Sequence, residues 1–190
     1  MISKLSHLIT LNLLKRNVIL DEEKELYDYG LFMLISYVMF FFISILFGIA
    51  LNIPFLSIFF YISFCLVRNF AGGIHANSEI KCDIITTVLI LVCEILIRIF
   101  IDYSLVSIAF AMQIISSGCL CVFKPVATSQ KEINQQEKLC YHKKLIFIVC
   151  FINIFSFVLF YFNVYNVIYS TSIGITLSTL LFLLGKVHRF

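Results

Sequence analysis

Residues Leu31 to Leu51 read LFMLISYVMFFFISILFGIAL, a run without a single acidic or basic side chain. A helix of that length rises about 30 Å, which matches the hydrocarbon thickness of a bilayer, so the run predicts a membrane span. Working outward, five more apolar runs follow at Pro54 to Val67, Ile84 to Ile101, Leu105 to Phe123, Leu145 to Phe162 and Val164 to Gly185. The chain of 190 residues is 61% hydrophobic and only 13% charged, with a mean hydropathy of +1.02. These values are far from a soluble domain's balance. They predict an all-α polytopic membrane protein of about six transmembrane or re-entrant helices, organised as a single membrane domain over residues 1–190.

The run Pro54 to Val67 rises only about 21 Å as a helix. It is expected to stay at membrane depth into the polar segment that follows, or to bend back as a re-entrant element. Ahead of the first span, residues 1–30 place Ile2, Leu5, Leu8, Ile9, Leu13 and Leu14 at helical spacing against Lys4, His7, Lys15 and Arg16. That pattern predicts a basic amphipathic helix lying in the interface rather than a cleaved signal peptide, since no small-residue cleavage site follows a short apolar core. The acidic run Asp21, Glu22, Glu23 and Glu25, with Lys24 among it, reads as a solvated lead-in.

Basic residues orient the whole. With residues 1–30 in the cytoplasm, six crossings place Lys4, Lys15, Arg16, Lys24, Arg68, Lys81, Lys124, Lys131, Lys138, Lys143, Lys144, Lys186 and Arg189 on the inner side, all but one of the chain's 14 lysines and arginines. The connections near Asn52, Asp102 and Asn163 carry none, so the positive-inside rule predicts cytoplasmic termini. The exception, Arg98, lies within the third span with Glu94 and Asp102 four residues to either side. This spacing predicts a ladder on one helix face, turned to the bundle interior. A path for a transported solute is the alternative role for these three charges. No basic stripe interleaved with exposed aromatics supports nucleic-acid binding.

The one polar interruption among the first hundred hydrophobic-rich residues is Arg68-Asn-Phe-Ala-Gly-Gly-Ile-His-Ala-Asn-Ser-Glu-Ile-Lys-Cys-Asp83. It combines a thiol, Cys82, with an imidazole, His75, the two groups that cysteine-type acyl transfer requires. On one unbroken helix these residues would share a face but stand about 10.5 Å apart. Joint action therefore requires a bend, for which Gly72 and Gly73 provide backbone freedom. Asn77 and Ser78 suit a helix start, setting Cys82 in or next to a first turn, where the positive helix end, Lys81 and Arg68 favour a sulfur nucleophile and Asp83 opposes it. A core histidine beside an incidental cysteine explains the spacing equally well. Asn77, Glu79 and Asp83 are candidates to orient His75, and equally for capping or exposure.

Seven cysteines do not imply disulfides here, because almost all fall in spans or on the reducing side. Cys65, Cys93 and Cys150 read as packing residues. Cys119-x-Cys121 with Cys140-x-His142 offers four soft ligands, but the spacing matches no common zinc pattern.

The pattern Arg68-x-x-x-Gly72-Gly73-x-His75-Ala76 followed by Cys82 resembles the accessory gene regulator B family, membrane peptidases that process the precursor of a bacterial quorum-sensing peptide. The length, the basic N-terminal segment, the multi-span layout and the cytoplasmic basic loop over residues 124–144, from Lys124-Pro125 to Lys143-Lys144, resemble the family as well. The resemblance implies that Cys82 and His75 are the catalytic pair, and that Arg68 and the Gly72-Gly73 turn support them. It also implies a precursor with an amphipathic leader on the inner leaflet and an acidic tail that meets Lys81, Lys143 and Lys144. Cleavage before the tail would leave a thioester on Cys82 that the precursor closes into a thiolactone or lactone. No cofactor or metal is called for. Partners are the precursor peptide and membrane lipid, and a homodimer is the expected assembly. Two rivals belong to other classes: a small transporter or channel using Glu94, Arg98 and Asp102, and a noncatalytic membrane partner of a signalling system.

Overall fold

The computed structural model describes residues 2–72, 79–123 and 135–187, without the side chains of residues 79 and 135–138. Seven α-helices make up nearly all of these: α1 (Ile2–Lys15), α2 (Lys24–Ala50), α3 (Pro54–Ala71), α4 (Glu79–Asp102), α5 (Val106–Val122), α6 (Gln135–Tyr161) and α7 (Tyr165–Val187), with a 3-10 turn at Asp21–Glu23. Five of them, α2, α3, α4, α6 and α7, are long and apolar enough to cross a membrane. The sixth, α5, is equally apolar in character but has 17 residues. The chain is an all-α polytopic membrane protein.

Residues 1–43 form one unit. In α1 the side chains of Ser6 and Thr10 are buried while Leu5, Leu8 and Ile9 lie open. His7 Nδ1 stands 3.1 Å from Asp28 Oδ2 and ties α1 to the first turns of α2. The apolar side is thus turned outward and Lys4, Lys15 and Arg16 are exposed, the arrangement of a helix that rests in the membrane interface. Helix α2 begins seven residues before Leu31, where the apolar run was expected to open the span. Helical hydrogen bonding does not stop at the edge of the hydrocarbon, and here it carries Leu26, Tyr27 and Tyr29 into the interfacial zone. The acidic lead-in is built into this start: Glu23 Oε2 accepts from Leu20 N–H at 3.2 Å, and carboxylates suit the positive end of a helix.

Residues 44–190 form the second unit, with α7 at its centre. Small residues line α7, namely Ser170, Ser172, Gly174, Ser178 and Gly185, and all are buried. They let α3 approach closely: Ser178 Oγ donates to Phe64 O at 3.1 Å, and a Cβ added at Gly174 would stand 2.8 Å from Phe60 O and collide with Ser63 Oγ. Such close contact is how helices adhere in lipid, where no hydrophobic force draws them together. Gly174→Leu is therefore expected to lower thermal stability in detergent by about 1–3 kcal/mol or more, whereas Gly118→Ala, with nothing within 4 Å of the new Cβ, should be neutral or slightly stabilising. Equal melting temperatures for the two variants would remove the close-packing argument.

One end of the second unit is closed by three tight turns. At each, a residue with positive φ, Asn52 (60°), Ser104 (51°) or Asn163 (60°), lets the chain reverse, and the following amide reaches five residues back: Ile53 N to Gly48 O, Leu105 N to Phe100 O and Val164 N to Leu159 O, at 2.7, 3.0 and 2.9 Å. These bonds satisfy carbonyls that would otherwise face lipid. At the other end stand the C-termini of α3, α5 and α7 and the N-termini of α4 and α6. Beneath it Val67, Ala71, Leu120, Leu145, Val149, Ile175 and Phe182 form one buried apolar cluster.

One expectation resolves and another changes. Helix α3 continues past Val67 to Ala71, which gives 18 residues and about 27 Å of rise, so the chain stays helical into the polar segment, the first of the two courses expected for it, and the helix is long and apolar enough to cross a membrane. Arg68 and Asn69 continue its hydrogen bonding because ending it earlier would strand carbonyls at membrane depth. The charged ladder also divides. Arg98 Nη2 pairs with Asp102 Oδ1 at 3.0 Å with both side chains nearly half exposed, whereas Glu94 is fully buried and accepts a 2.6 Å hydrogen bond from Ser44 Oγ. A single polar path through the three does not form. The interior polarity lies elsewhere, where Gln113 Nε2 donates to Ser156 Oγ at 2.9 Å and Asn153 Nδ2 to Ser117 Oγ at 2.8 Å, stitching α5 to α6.

Candidate functional site

At the open end, α3 finishes with a built clamp. Gly72 takes φ 74° and ψ −157°, a combination reserved for glycine because a Cβ would clash with the flanking peptide. Its N–H donates to Arg68 O at 3.2 Å, and Arg68 Nη1 donates to Gly72 O at 2.9 Å. The guanidinium thus folds over the end of its own helix and complements the partial negative charge there. Arg68 and Gly72, joined in the sequence only by spacing, are joined here by two hydrogen bonds.

Beyond the clamp the chain passes through residues 73–78. Gly73 and His75 lie outside the described residues, as do Asn77 and Ser78. The helix that was expected to begin near Ser78 starts at Glu79 and continues as a span to Asp102. Lys81 and Cys82 stand in its first turn. Cys82 is a free, partly exposed thiol and Lys81 is exposed. One turn further in, Thr87 Oγ1 donates to Asp83 O at 2.8 Å, a local bond that holds the hydroxyl against its own helix. The thiol is therefore presented on a helix end on the far side of a short connection from the Arg68 clamp.

Helix α6 lines the same end of the bundle. Its early residues Lys143 and Lys144 are exposed, while Leu145 two turns along from its described side chains is fully buried. The Tyr141 ring lies 6.1 Å from the ring of Phe70, the penultimate residue of α3, so the starts of α6 and the end of α3 are adjacent. Lys186, near the end of α7, places its Nζ 3.9 Å from the centre of the Phe123 ring at the end of α5, a cation–π contact. Of the basic loop expected over residues 124–144, only the part from residue 135 is described. The rim formed by Lys81, Lys143, Lys144 and Lys186 is cationic, and among the described residues none of these lysines has an acidic partner.

One group at this end was weighed in the sequence only as a metal ligand. His142 lies on the inward stripe of α6 shared by Leu145, Val149, Ile152 and Ser156, and its Nδ1 is buried without a hydrogen-bond partner among the described residues. The spacing to Leu145 and Val149 was the signal that pointed it inward. Among the described residues no three His, Cys, Asp or Glu side chains gather as a metal site, so the four soft ligands considered above do not converge. All seven cysteines are free.

The family model described as accessory gene regulator B matches residues 6–184. A protein of Clostridium perfringens (strain SM101, type A), named only as AgrB-like, is 29% identical over 93% of this chain and 87% of its own length. A second, from strain 13 of the same species and named AgrB-like protein 2, is 27% identical over 74% of this chain and 70% of its own. No solved structure matches.

Proposed function

Because the chain belongs to the accessory gene regulator B family, we propose that it is a membrane cysteine endopeptidase that removes the C-terminal tail of an autoinducing-peptide precursor. The observation that carries this reading is the free, partly exposed Cys82 on the opening turn of α4, across a short connection from the Arg68–Gly72 clamp. His75, within that connection, is the general base and acid. Arg68, Gly72 and Gly73 set the path of the backbone between the two helices, and the exposed lysines Lys81, Lys143 and Lys144 attract the acidic tail.

The chemistry balances as acyl transfer. His75 takes the Cys82 thiol proton as Sγ attacks the carbonyl carbon of the bond before the tail. The tetrahedral adduct collapses, the C–N bond breaks, and the same proton passes from His75 to the departing amine. A thioester then joins Cys82 to the remaining precursor. A cysteine or serine of the precursor attacks that thioester, releases Cys82 and closes a thiolactone or lactone ring. Because water competes for the same acyl group, a site at the membrane surface favours ring closure over hydrolysis.

The topology follows the same reading. The open end of the second unit faces the cytoplasm of the bacterial cell, since Arg68, Lys81, Lys143, Lys144 and Lys186 lie there and the three tight turns opposite carry no lysine or arginine; the same rule assigns both chain termini to the cytoplasm. The reading is tested by incubating the protein in liposomes with the precursor and measuring its intact mass. The expected result is released tail together with protein heavier by the acyl fragment, an adduct that hydroxylamine removes and that maps to Cys82. Tail release with an adduct on another residue, or no cleavage, would count against it.

A further inference from the structure

We propose that His142 is a substrate-positioning residue whose Nδ1–H is completed by a carboxylate of an acidic peptide, a role that rests on the peptidase reading above. A buried ring nitrogen without a partner is uncommon and destabilising. His142 is oriented by its neighbours rather than left to chance: it extends the stripe of Leu145, Val149 and Ile152, which are 0%, 1% and 5% exposed, by one turn beyond the apolar cluster. Its neighbour Tyr141 packs on Phe70, so the imidazole stands at the end of the bundle where α3 finishes in the Arg68–Gly72 clamp. In the Nδ1–H tautomer the buried Nδ1 is a donor without an acceptor among the described residues.

Charge decides the class of ligand. The next residues along α6, Lys143 and Lys144, are exposed, and Lys186 holds the end of α7 over Phe123. No carboxylate among the described residues pairs with any of them. Ammonium groups without an acidic partner among the described residues, at the same end of the bundle as an unmatched ring nitrogen, favour an anion over a neutral amide, and an extended peptide with several Asp or Glu residues can meet both. The lysines supply attraction at a distance. His142, being fixed, supplies register, so that the bond to be cut reaches Cys82 rather than sliding past it.

The test measures binding apart from turnover. In the full-length Cys82→Ala protein, affinity is measured for a fluorescent tail peptide rich in Asp and Glu and for its Asn/Gln counterpart. His142→Phe is expected to weaken the acidic peptide about tenfold or more, the range of one charge-assisted hydrogen bond, and to leave the Asn/Gln peptide unchanged. His142→Asn, which returns an N–H near the Nδ1 position, recovers most of the loss, while His142→Gln, which places its amide nearer Nε2, does not. With Cys82 restored, His142→Phe raises KM and also lowers kcat, because a tail out of register presents the bond poorly to Cys82. Equal loss for both peptides, or equal affinity of the Asn and Gln variants, overturns the assignment even if H142F itself folds poorly. Absence of cleavage by the wild type would sink the peptidase reading instead, and acid-selective binding through His142 would still be scored on its own.

Discussion

Cys82→Ala is expected to abolish tail release while the protein still folds, inserts and binds precursor. The size of the effect follows from the proposed role: if Cys82 is the nucleophile, no acyl-enzyme forms without its sulfur, and removing the nucleophile of a cooperating pair typically costs about 10³-fold or more. The specificity of the effect follows from the position. Cys82 lies in the first turn of α4 and is partly exposed, so truncating it opens no sealed cavity, and alanine is the best helix former. A co-expressed precursor should accumulate at full length, and membrane yield and melting temperature should match the wild type. Normal processing by this variant would remove the reading. Loss of processing accompanied by loss of the folded protein would assign Cys82 to structure and also count against it. Cys93, 6% exposed inside α4, is the control: its replacement by alanine leaves processing in place.

Gly72→Ala should reduce processing at least tenfold with only a modest change in stability. At φ 74° and ψ −157° a side chain costs about 1–3 kcal/mol, and the backbone relieves that strain by leaving the conformation. The Gly72 carbonyl then turns away from Arg68 Nη1, which it now meets at 2.9 Å, and the chain departs from α3 in a different direction. On the proposed reading the connection that follows carries His75, and misplacing a catalytic group by about 1 Å is enough to slow a reaction about a hundredfold. The change is confined to the last turn of α3 and leaves the packing of the buried helix faces in place, so the melting temperature should move little. Processing at the wild-type rate would show that the turn at Gly72 does not position the pair. Gly118→Ala again provides the comparison, a glycine in α5 with open space around it.

Much of the architecture was legible in the sequence because membrane helices obey a strong local rule: in lipid each backbone amide must be satisfied within its own segment. The apolar runs therefore marked α2 to α7, and the gaps without lysine or arginine near Asn52, Asp102 and Asn163 marked the three connections. That each reverses through a positive φ, at Asn52, Ser104 and Asn163, and is closed by a five-residue-back hydrogen bond emerges only in the structure. Helix α2 begins ahead of its apolar run and α3 ends beyond its own for one reason: hydropathy detects the hydrocarbon edge, while helices end where their carbonyls find partners. Of the proposed site, the sequence marked the polar segment that holds Arg68, Gly72 and Cys82, but not that the Arg68 guanidinium caps its own helix at Gly72.

Composition, apolar run length and the placement of charge by themselves determined that this chain is a helical membrane protein, and where its polar segment interrupts the spans, because those properties depend on solvent transfer along a single strand of sequence. Only the tertiary structure decided that Glu94 is sealed against Ser44 while Arg98 turns to Asp102, that Gln113 and Asn153 stitch α5 to α6, and that the imidazole of His142 faces inward without a partner. Each is a relation between helices distant in sequence. Helical periodicity places a side chain on a face, and the neighbour that packs against that face determines whether its polar atom is paired, exposed or left unmatched.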